Sequence, residues 1–201
     1  MQVSGLLWMR SLIMSDVETG TEWSHLLGTA MAGQLKGEEL EPIVTDMVTW
    51  GAWKKQHPET TVMNLPATSK EYTAEFYKKS TEHEFLFGFA IDRKPWALPM
   101  KTMQAEPVKS FSCDDAFLVA TYDPAGAVIR LFDRTVDDQT LTFSKSEGLI
   151  MEDDATGSHW ELMTGQCVSG ELKGKALTPM PGIMSFRKAW KKFHPDSQDV
   201  E

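Results

Sequence analysis

The sequence predicts a β-rich α+β protein made of two related units of short antiparallel strands, each closed by a C-terminal helix. Three observations predict this architecture: an internal repeat, frequent turn signals between short apolar runs, and one helix-like segment at the end of each repeat. The first unit is predicted to be truncated at its N-terminus, because the strand-like sequence that leads into the second repeat has no counterpart before the first.

The repeat aligns residues 16–60 with residues 153–197 without a gap, at an offset of 137. In this register 18 of the 45 positions are identical, where roughly 3 are expected by chance at average composition. The identities fall on turn and anchor residues, among them Thr19-Gly20 with Thr156-Gly157, Trp23 with Trp160, Pro42 with Pro179, and Ala52-Trp53-Lys54-Lys55 with Ala189-Trp190-Lys191-Lys192. Such a repeat predicts two copies of one supersecondary unit.

The two copies differ in what precedes them. A long strand-like stretch, 85–149, leads into the second copy, whereas Met1–Ser4 alone precede the first. Gly5-Leu6-Leu7 matches Gly148-Leu149-Ile150 at an offset of 143, so the first copy carries six extra residues at this point. The chain is therefore predicted to be part of a longer protein, with an incomplete first repeat unit over 1–60, a linker over 61–84 and a complete second unit over 85–201.

Short strands separated by turns account for most of the second unit. The predicted strands are Leu86–Asp92, Trp96–Met100, Ala116–Tyr122, Val128–Asp133 and Thr140–Ser144. Arg93-Lys94-Pro95 is predicted to turn the first hairpin. In Asp123-Pro124-Ala125-Gly126 the proline fixes φ and the glycine relaxes the end of the turn. Asp137-Asp138 predicts a further turn.

Each repeat is predicted to end in a helix. These helices are Trp50–Gln56 behind the N-cap Thr49, and Phe186–Phe193 behind the N-cap Ser185. His57 and His194 each precede a proline, which disfavours helical backbone and ends the helix. Between the units, a helical turn is predicted over Tyr72–Lys79 of the linker.

Composition and charge exclude several classes of protein. The chain has 201 residues and a net charge of −9, and no run of Lys or Arg exceeds two residues, so binding of nucleic acid through its phosphates is not expected. The most apolar run, Gly5–Met14, is interrupted by Arg10 and is too short for a transmembrane helix. Cys113 and Cys167 lack zinc-ligand spacing. They are expected to be buried free thiols, with a disulfide as the alternative in an oxidising compartment.

Several motifs extend over nearly the whole chain. In the first unit they are Ser4-Gly5-Leu6-Leu7-Trp8, Thr19-Gly20-Thr21-Glu22-Trp23-Ser24, Thr49-Trp50-Gly51-Ala52-Trp53 and His57-Pro58-Glu59-Thr60. In the second they are Trp96-Ala97-Leu98-Pro99, Ala120-Thr121-Tyr122-Asp123-Pro124, Phe132-Asp133-Arg134-Thr135-Val136-Asp137 and Leu141-Thr142-Phe143. Together these motifs resemble the bacterial and archaeal family known as domain of unknown function 3179. The resemblance implies a tandem duplication and an export signal or lipoprotein leader, and hence a periplasmic or extracellular location.

The same resemblance bears on thiol and metal chemistry. The family has a Tyr-Cys-Pro-x-Cys segment in its first unit, and the second-unit counterpart here is Tyr122-Asp123-Pro124-Ala125-Gly126. Asp123 and Gly126 stand where the cysteines would fall. The resemblance therefore implies that these residues lack whatever thiol or metal chemistry the motif supports.

Four residues are candidates for a binding groove: Trp23, His25, Trp160 and His159. For the tryptophans the favoured interpretation is core anchoring, together with Trp53 and Trp190, because each repeat needs large apolar residues to bury its face. No catalytic residue, metal ligand or cofactor is predicted.

Three further sets of side chains have a chemical and a structural interpretation. Asp16, Ser24 and His25 suggest a hydrolytic set, but adjacent residues on a strand point to opposite faces. His57 and His194 suggest metal ligation, but helix termination explains both. Glu152-Asp153-Asp154 suggests calcium binding, but lacks the spaced oxygen ligands of a loop site.

The function predicted from these features is a non-enzymatic, extracytoplasmic binding or scaffold module. Its partners are unknown, and homo-oligomerisation is expected through exposed strand edges of the incomplete first unit. The alternative is a metal- or thiol-dependent enzyme, or a metal-handling protein, whose Cys-x-x-Cys site lies in an upstream segment. A third possibility is a small hydrolase that uses Asp16, Ser24 and His25.

Overall fold

The computed structural model describes residues 1–9, 11–62 and 84–200. Short antiparallel strands dominate these residues, and the predicted β-rich class is confirmed. The chain divides into two compact units. Unit 1 contains Met1–Ile43 and Ala189–Pro195, and unit 2 contains Val44–Lys188 and Asp196–Glu201.

Unit 1 is built around one four-stranded antiparallel meander, called sheet 1. Its strands are β1 (Gln2–Trp8), β2 (Ser11–Ser15), β3 (Glu22–Ser24) and β4 (Thr29–Ala32), which neighbour each other in chain order. The register of the β1–β2 hairpin shifts between Val3 and Leu7. Gly5 lies within this shift with a φ of 78°, a backbone conformation that glycine adopts without steric strain.

Unit 2 contains the remaining sheets. Their strands are β5 (Phe85–Ile91), β6 (Lys94–Pro99), β7 (Val108–Cys113), β8 (Ala116–Asp123), β9 (Val128–Asp133), β10 (Thr135–Val136), β11 (Gln139–Thr140), β12 (Phe143–Glu147), β13 (Ile150–Asp153), β14 (His159–Glu161), β15 (Cys167–Ser169), β16 (Thr178–Met180), β17 (Ile183–Phe186) and β18 (Gln198–Asp199). One sheet has the order β16-β9-β8-β7 and another the order β17-β5-β6-β18, while β10 and β11 form a small hairpin. Sheet 2 is a meander of β12 to β15 in chain order.

Turn chemistry fixes the hairpins of unit 2. The first hairpin turns at Asp92 and Arg93, both with positive φ, so β6 begins at Lys94 rather than after the predicted Arg93-Lys94-Pro95 turn. Asp137 and Asp138, with φ of 48° and 65°, turn the chain between β10 and β11. Two left-handed residues match the twist of a two-residue hairpin, which explains why the acidic pair suits this position.

The described residues include three helices: α1 (Trp50–Gln56), α2 (Met100–Ala105) and α3 (Arg187–Phe193). Helix α1 has the predicted bounds, and Thr49 at its N-cap is extended, although its hydroxyl makes no capping hydrogen bond. The predicted start of the last helix is wrong, because Phe186 pairs with Phe85 in the sheet and their rings lie 4.7 Å apart. Ser185 is therefore a strand residue and not an N-cap. The predicted linker helix at Tyr72–Lys79 lies outside the described residues.

The core of unit 2 lies on both sides of β8. Leu118, Ala120 and Tyr122 pack into one buried cluster, whereas Val119 packs into another with Phe132. Alternate residues of a strand point to opposite faces, so a strand covered on both faces is apolar throughout. The apolar run Leu118–Ala120 in the middle of β8 follows from this double burial.

Candidate functional site

Asp16 is the centre of a polar network in sheet 1. Its carboxylate accepts hydrogen bonds from the Thr19 N–H and hydroxyl, both at 2.6 Å, and from Trp23 Nε1 at 3.2 Å. These hydrogen bonds, those from Thr19 above all, lower the pKa of Asp16 to about 2. The network ties the turn before β3 to the indole that anchors that strand.

Asp153 makes the same network in sheet 2. Its carboxylate accepts hydrogen bonds from the Thr156 N–H at 2.7 Å, the Ser158 N–H at 3.1 Å and Trp160 Nε1 at 3.0 Å. Burial alone would raise the pKa of Asp153, but these hydrogen bonds outweigh it and the pKa is lowered. Both carboxylates are thus engaged by donors of their own sheet, so the repeated polar residues stabilise a turn.

The four predicted binding residues lie in two different environments. Trp23 and Trp160 are 5% and 0% exposed, and each is a core residue of its own sheet. His25 and His159 are exposed. The Nδ1 atom of His25 lies 3.0 Å from the Leu12 carbonyl oxygen, and that of His159 lies 3.1 Å from Ser169 Oγ. Neither sheet brings its tryptophan and its histidine to one surface, and ligand binding at these residues stays a prediction.

The hydrolytic set does not assemble in unit 1. The Ser24 side chain is fully buried, and its hydroxyl accepts a hydrogen bond from the Leu27 N–H at 3.3 Å. His25 faces Leu12 and Ser11, while Asp16 is engaged by Thr19 and Trp23. A base must lie within hydrogen-bond reach of its nucleophile, and these three side chains have other partners.

The repeated histidines end their helices and stack on tryptophans. His57 lies 4.1 Å from Trp53 and His194 lies 4.1 Å from Trp190, measured between ring centroids. Burial lowers the pKa of His194. Three of the four predicted core tryptophans are buried. The exception is Trp53, which is half-buried and whose Nε1 donates to Thr60 Oγ1 at 3.1 Å.

The carboxylates of the Glu152-Asp153-Asp154 segment have separate partners. Glu152 pairs with Lys145, and Asp154 accepts a hydrogen bond from Ser144, so neither converges on the site of Asp153. Across the described residues, no group of three or more His, Cys, Asp or Glu side chains is arranged to hold a metal ion.

A small cleft of unit 2 lies between α1 and the turn that joins β8 to β9. The Thr49 N–H donates to the Gly126 carbonyl at 3.1 Å and holds the helix against this turn. Asp123 closes the turn by accepting hydrogen bonds from the N–H groups of Ala125 and Gly126, at 2.9 and 3.2 Å. The lining also includes the Trp53–His57 stack.

The charges of this cleft are largely balanced within it. Arg130 forms an ion pair with Asp46, 84 residues away in sequence, while its Nε atom is buried without a hydrogen-bond partner among the described residues. The cavity of about 50 Å³ is far smaller than the roughly 300–1,000 Å³ of typical ligand pockets. The cleft has room for ordered water rather than for a substrate. Sequence reasoning missed Asp46 and Arg130 because no local pattern connects positions so far apart.

Both cysteines are buried free thiols, as predicted. Burial raises the pKa of the Cys113 thiol to about 12 and also raises that of Cys167. The reactive form of cysteine is the thiolate, so these environments suit side chains that fill a core.

Helices of the described segments are all too short or too polar to cross a lipid bilayer. In a comparison with known proteins, residues 1–197 match the family described as protein of unknown function (DUF3179). No curated protein and no solved structure matches the chain.

Proposed function

This chain belongs to the DUF3179 family of proteins of unknown function, and on that premise we propose that it is a non-catalytic binding or scaffold protein that acts in the periplasm or outside the cell. One observation carries the proposal. The polar residues that recur in the sequence, Asp16 and Asp153 with their threonine and tryptophan partners, form hydrogen bonds within their own sheets. Hydrogen bonds of this kind, repeated in both sheets, stabilise the fold and leave these polar groups without a role in catalysis.

We further propose that the two sheets arose by internal duplication. They share their strand order, and at the offset of 137 the backbone hydrogen bonds also correspond. The Gly28 N–H donates to the Ser24 carbonyl at 2.8 Å, and the Gly165 N–H donates to the Glu161 carbonyl at 2.9 Å. A duplicated framework supplies two similar surfaces that can diverge in what they bind.

Self-association through sheet 1 is a second part of this proposal. Strand β1 is an edge strand of the sheet, and Val3, Leu6 and Leu7 on it are 62%, 49% and 68% exposed. Exposed apolar edge strands pair readily with other strands. We propose that β1 supports contacts between copies of this chain.

Thermal unfolding distinguishes the scaffold from the alternative of a metal- or thiol-dependent protein. Unfolding of the protein expressed from its complete reading frame is recorded with excess Zn²⁺, with a chelator and with a thiol reductant. A ligand at one hundred times its Kd adds about 2.7 kcal/mol of stability, which shifts Tm by several degrees in a protein of about 150–250 residues. A scaffold without such a site keeps the same Tm in all three conditions, and a shift of several degrees with metal or reductant would contradict the proposal.

The proposed location is tested separately. The complete reading frame is fused to an alkaline phosphatase reporter, which is active only after export to an oxidising compartment. Reporter activity is expected, and an inactive fusion that accumulates as soluble protein in the cytoplasm would refute the location.

A further inference from the structure

Sheet 2 has a concave surface on the face opposite to its core. Met151 and Trp160 stand opposite each other on neighbouring strands and are both fully buried. The residues next to them in sequence lie on the other face, because alternate residues of a strand point to opposite sides. On that outer face a cavity of about 550 Å³ is lined by residues of β12, β13 and β14. Ligand pockets typically have volumes of roughly 300–1,000 Å³.

One apolar residue and three carboxylates form the floor and the margin of this cavity. Ile150 is half-buried and stands opposite Glu147 on one side and Glu161 on the other. Glu152 lies two residues along β13 from Ile150 and therefore on the same face. Opposite residues on neighbouring strands are about 4.5–5.5 Å apart, and diagonal residues about 7–8 Å. The three carboxylates thus surround Ile150, and these four residues are called the Ile150 face.

The equivalent positions of sheet 1 keep the isoleucine but carry no charge. Each glutamate of the Ile150 face stands where sheet 1 has a serine: Glu147 where Ser4 is, Glu152 where Ser15 is, and Glu161 where Ser24 is. Ile13 is the equivalent of Ile150 and pairs with Ser24, as Ile150 pairs with Glu161. Ile13 and Ser24 are 5% and 0% exposed, so this face is closed in sheet 1. The same backbone therefore carries an open apolar residue ringed by carboxylates only in sheet 2.

Most of the negative charge of the Ile150 face is not neutralised within the chain. Lys145 Nζ lies 3.3 Å from Glu152 Oε1, but these side chains are 71% and 34% exposed, and ion pairs in water are weak. Glu161 accepts a hydrogen bond from the Thr164 hydroxyl at 2.8 Å, which leaves its charge in place. Glu147 is exposed and forms no hydrogen bond or ion pair with another residue that the structure describes. The surface is anionic around an apolar centre.

We propose that the Ile150 face is a binding site for a linear aliphatic polyamine, whose ammonium groups are joined by short alkyl stems. The ammonium groups pair with the glutamates, and an alkyl stem covers Ile150. An inorganic cation would leave Ile150 uncovered, and across the described residues no group of three or more His, Cys, Asp or Glu side chains is arranged to hold a metal ion. The inference rests on the proposed binding function of the duplicated framework and names its ligand.

Lys145 provides a test with the opposite sign from the glutamates. Its ammonium group already occupies Glu152 and therefore competes with the ligand. In sheet 1 the residue opposite Ser15, the equivalent of Glu152, is Gln2. Lys145→Gln thus removes the competitor by introducing the residue that the other sheet carries in this register. It should tighten polyamine binding about threefold, whereas Glu147→Ser should weaken it about threefold, in the range of single exposed ion pairs.

Methyl NMR localises the binding. The protein expressed from its complete reading frame is labelled with ¹³C in the methyl groups of isoleucine and methionine, and spermidine is added at constant ionic strength. The titration extends to several times a Kd of about 1 mM, the weak end of specific recognition. A saturable shift is expected for the δ1 methyl group of Ile150. The signal of Ile13 should stay in place, because its face is closed and uncharged.

Two other cations and one combined variant serve as controls. n-Butylamine has a single ammonium group and should bind at least tenfold more weakly than spermidine. Mg²⁺ is attracted by the same charges but has no alkyl stem, so it should not reproduce the shift of Ile150. Replacing all three glutamates by serine should abolish the saturable shift. The Tm of each variant confirms that it is folded, and the single variants decide the matter if the triple variant does not fold.

The proposal is overturned if Ile150 shows no saturable shift, if Mg²⁺ shifts it equally, or if Glu147→Ser binds spermidine as tightly as the wild type. An affinity that Lys145→Gln lowers would also contradict it. Failure of the scaffold proposal has a different signature, namely a Tm that depends on Zn²⁺ or reductant. The two experiments therefore fail independently.

Discussion

Sheets 1 and 2 have equivalent hydrogen-bond networks, but the face of sheet 2 that carries the tryptophan is more deeply buried. The indole of Trp23 bonds to Asp16 as that of Trp160 bonds to Asp153, at 3.2 and 3.0 Å. Met151 is fully buried in sheet 2, whereas its counterpart Met14 is only half-buried. The difference shows that a short polar network builds the meander, while burial of its face depends on the strands that pack against it.

The hairpins that open the two sheets differ in length as well. Ten residues separate Val3 from its partner Met14, but four separate Ser146 from its partner Met151. The six extra residues of the first copy therefore extend the β1–β2 hairpin. The longer hairpin exposes Leu6 and Leu7, so it adds apolar surface to the less covered sheet.

The largest change in stability is expected when the buried tryptophan of each sheet is replaced by alanine. Trp160→Ala should lower the free energy of unfolding by about 3–5 kcal/mol, as large-to-small core substitutions do. Trp23→Ala should cost less, because the half-buried surroundings of sheet 1 allow water to fill the space. Urea unfolding followed by circular dichroism measures both values. Equal losses would mean that the two sheets are covered equally in solution.

A matched pair of glycine substitutions isolates the packing of Phe132. Gly28→Ala and Gly165→Ala share the strain of a left-handed backbone, about 1–2 kcal/mol for an L-residue. Only Gly165→Ala also pushes a methyl group into the ring of Phe132, which should add about 1–3 kcal/mol. The difference between the two free energies of unfolding is the expected signal. Identical losses would show that Phe132 moves aside freely.

Acid unfolding tests the carboxylate networks. The pKa values of Asp16 and Asp153 are lower in the folded chain than the usual 3.8. The stabilisation from each carboxylate is therefore present at pH values well above 3.8 and is lost as the pH falls below that value, down to about 2 in the case of Asp16. Asp153→Asn should lower the free energy of unfolding by about 2–3 kcal/mol at neutral pH. The NH₂ group of the asparagine would face N–H groups that donate to the carboxylate in the wild type, and two donors cannot form a hydrogen bond. Asp16→Asn should cost less, since Asp16 is partly exposed.

The measurement is urea unfolding at intervals between pH 7 and pH 2. The stability of Asp153→Asn should fall less steeply below pH 4 than that of the wild type. If both proteins lose stability in parallel, Asp153 does not titrate with folding.

The smallest expected effect on stability comes from the exposed leucines of the two hairpins. Leu6→Lys should leave the free energy of unfolding within about 0.5 kcal/mol, but reduce self-association through β1 by adding a charge to an edge strand. Leu149→Lys is the matched control in the short hairpin of sheet 2, where Leu149 is 44% exposed. Sedimentation velocity over a concentration series measures both. If the β1 variant associates as strongly as the wild type, or if both variants weaken association equally, β1 does not form the contact between copies.

Features that depend on a few neighbouring residues were predictable. Thr49 and His57 set the bounds of α1, and Asp137-Asp138 marked the turn between β10 and β11. Helix α2 was not indicated, and its first residue Met100 had been placed in a strand. The half-burial of Trp53 was also missed, because exposure depends on what reaches a side chain from elsewhere in the fold.

Local sequence patterns were sufficient to predict the β-rich class, the positions of the principal turns and the two matching Asp–Thr–Trp segments. These features depend on the φ preferences of single residues and on hydrogen bonds between groups a few residues apart, so they can be read from short stretches of sequence. Packing in the folded chain places Phe186 in a strand and pairs Arg130 with Asp46. It also buries Leu177 near Phe132 and leaves Leu40 exposed. Such contacts join distant parts of the chain, so they follow from packing and not from any local pattern.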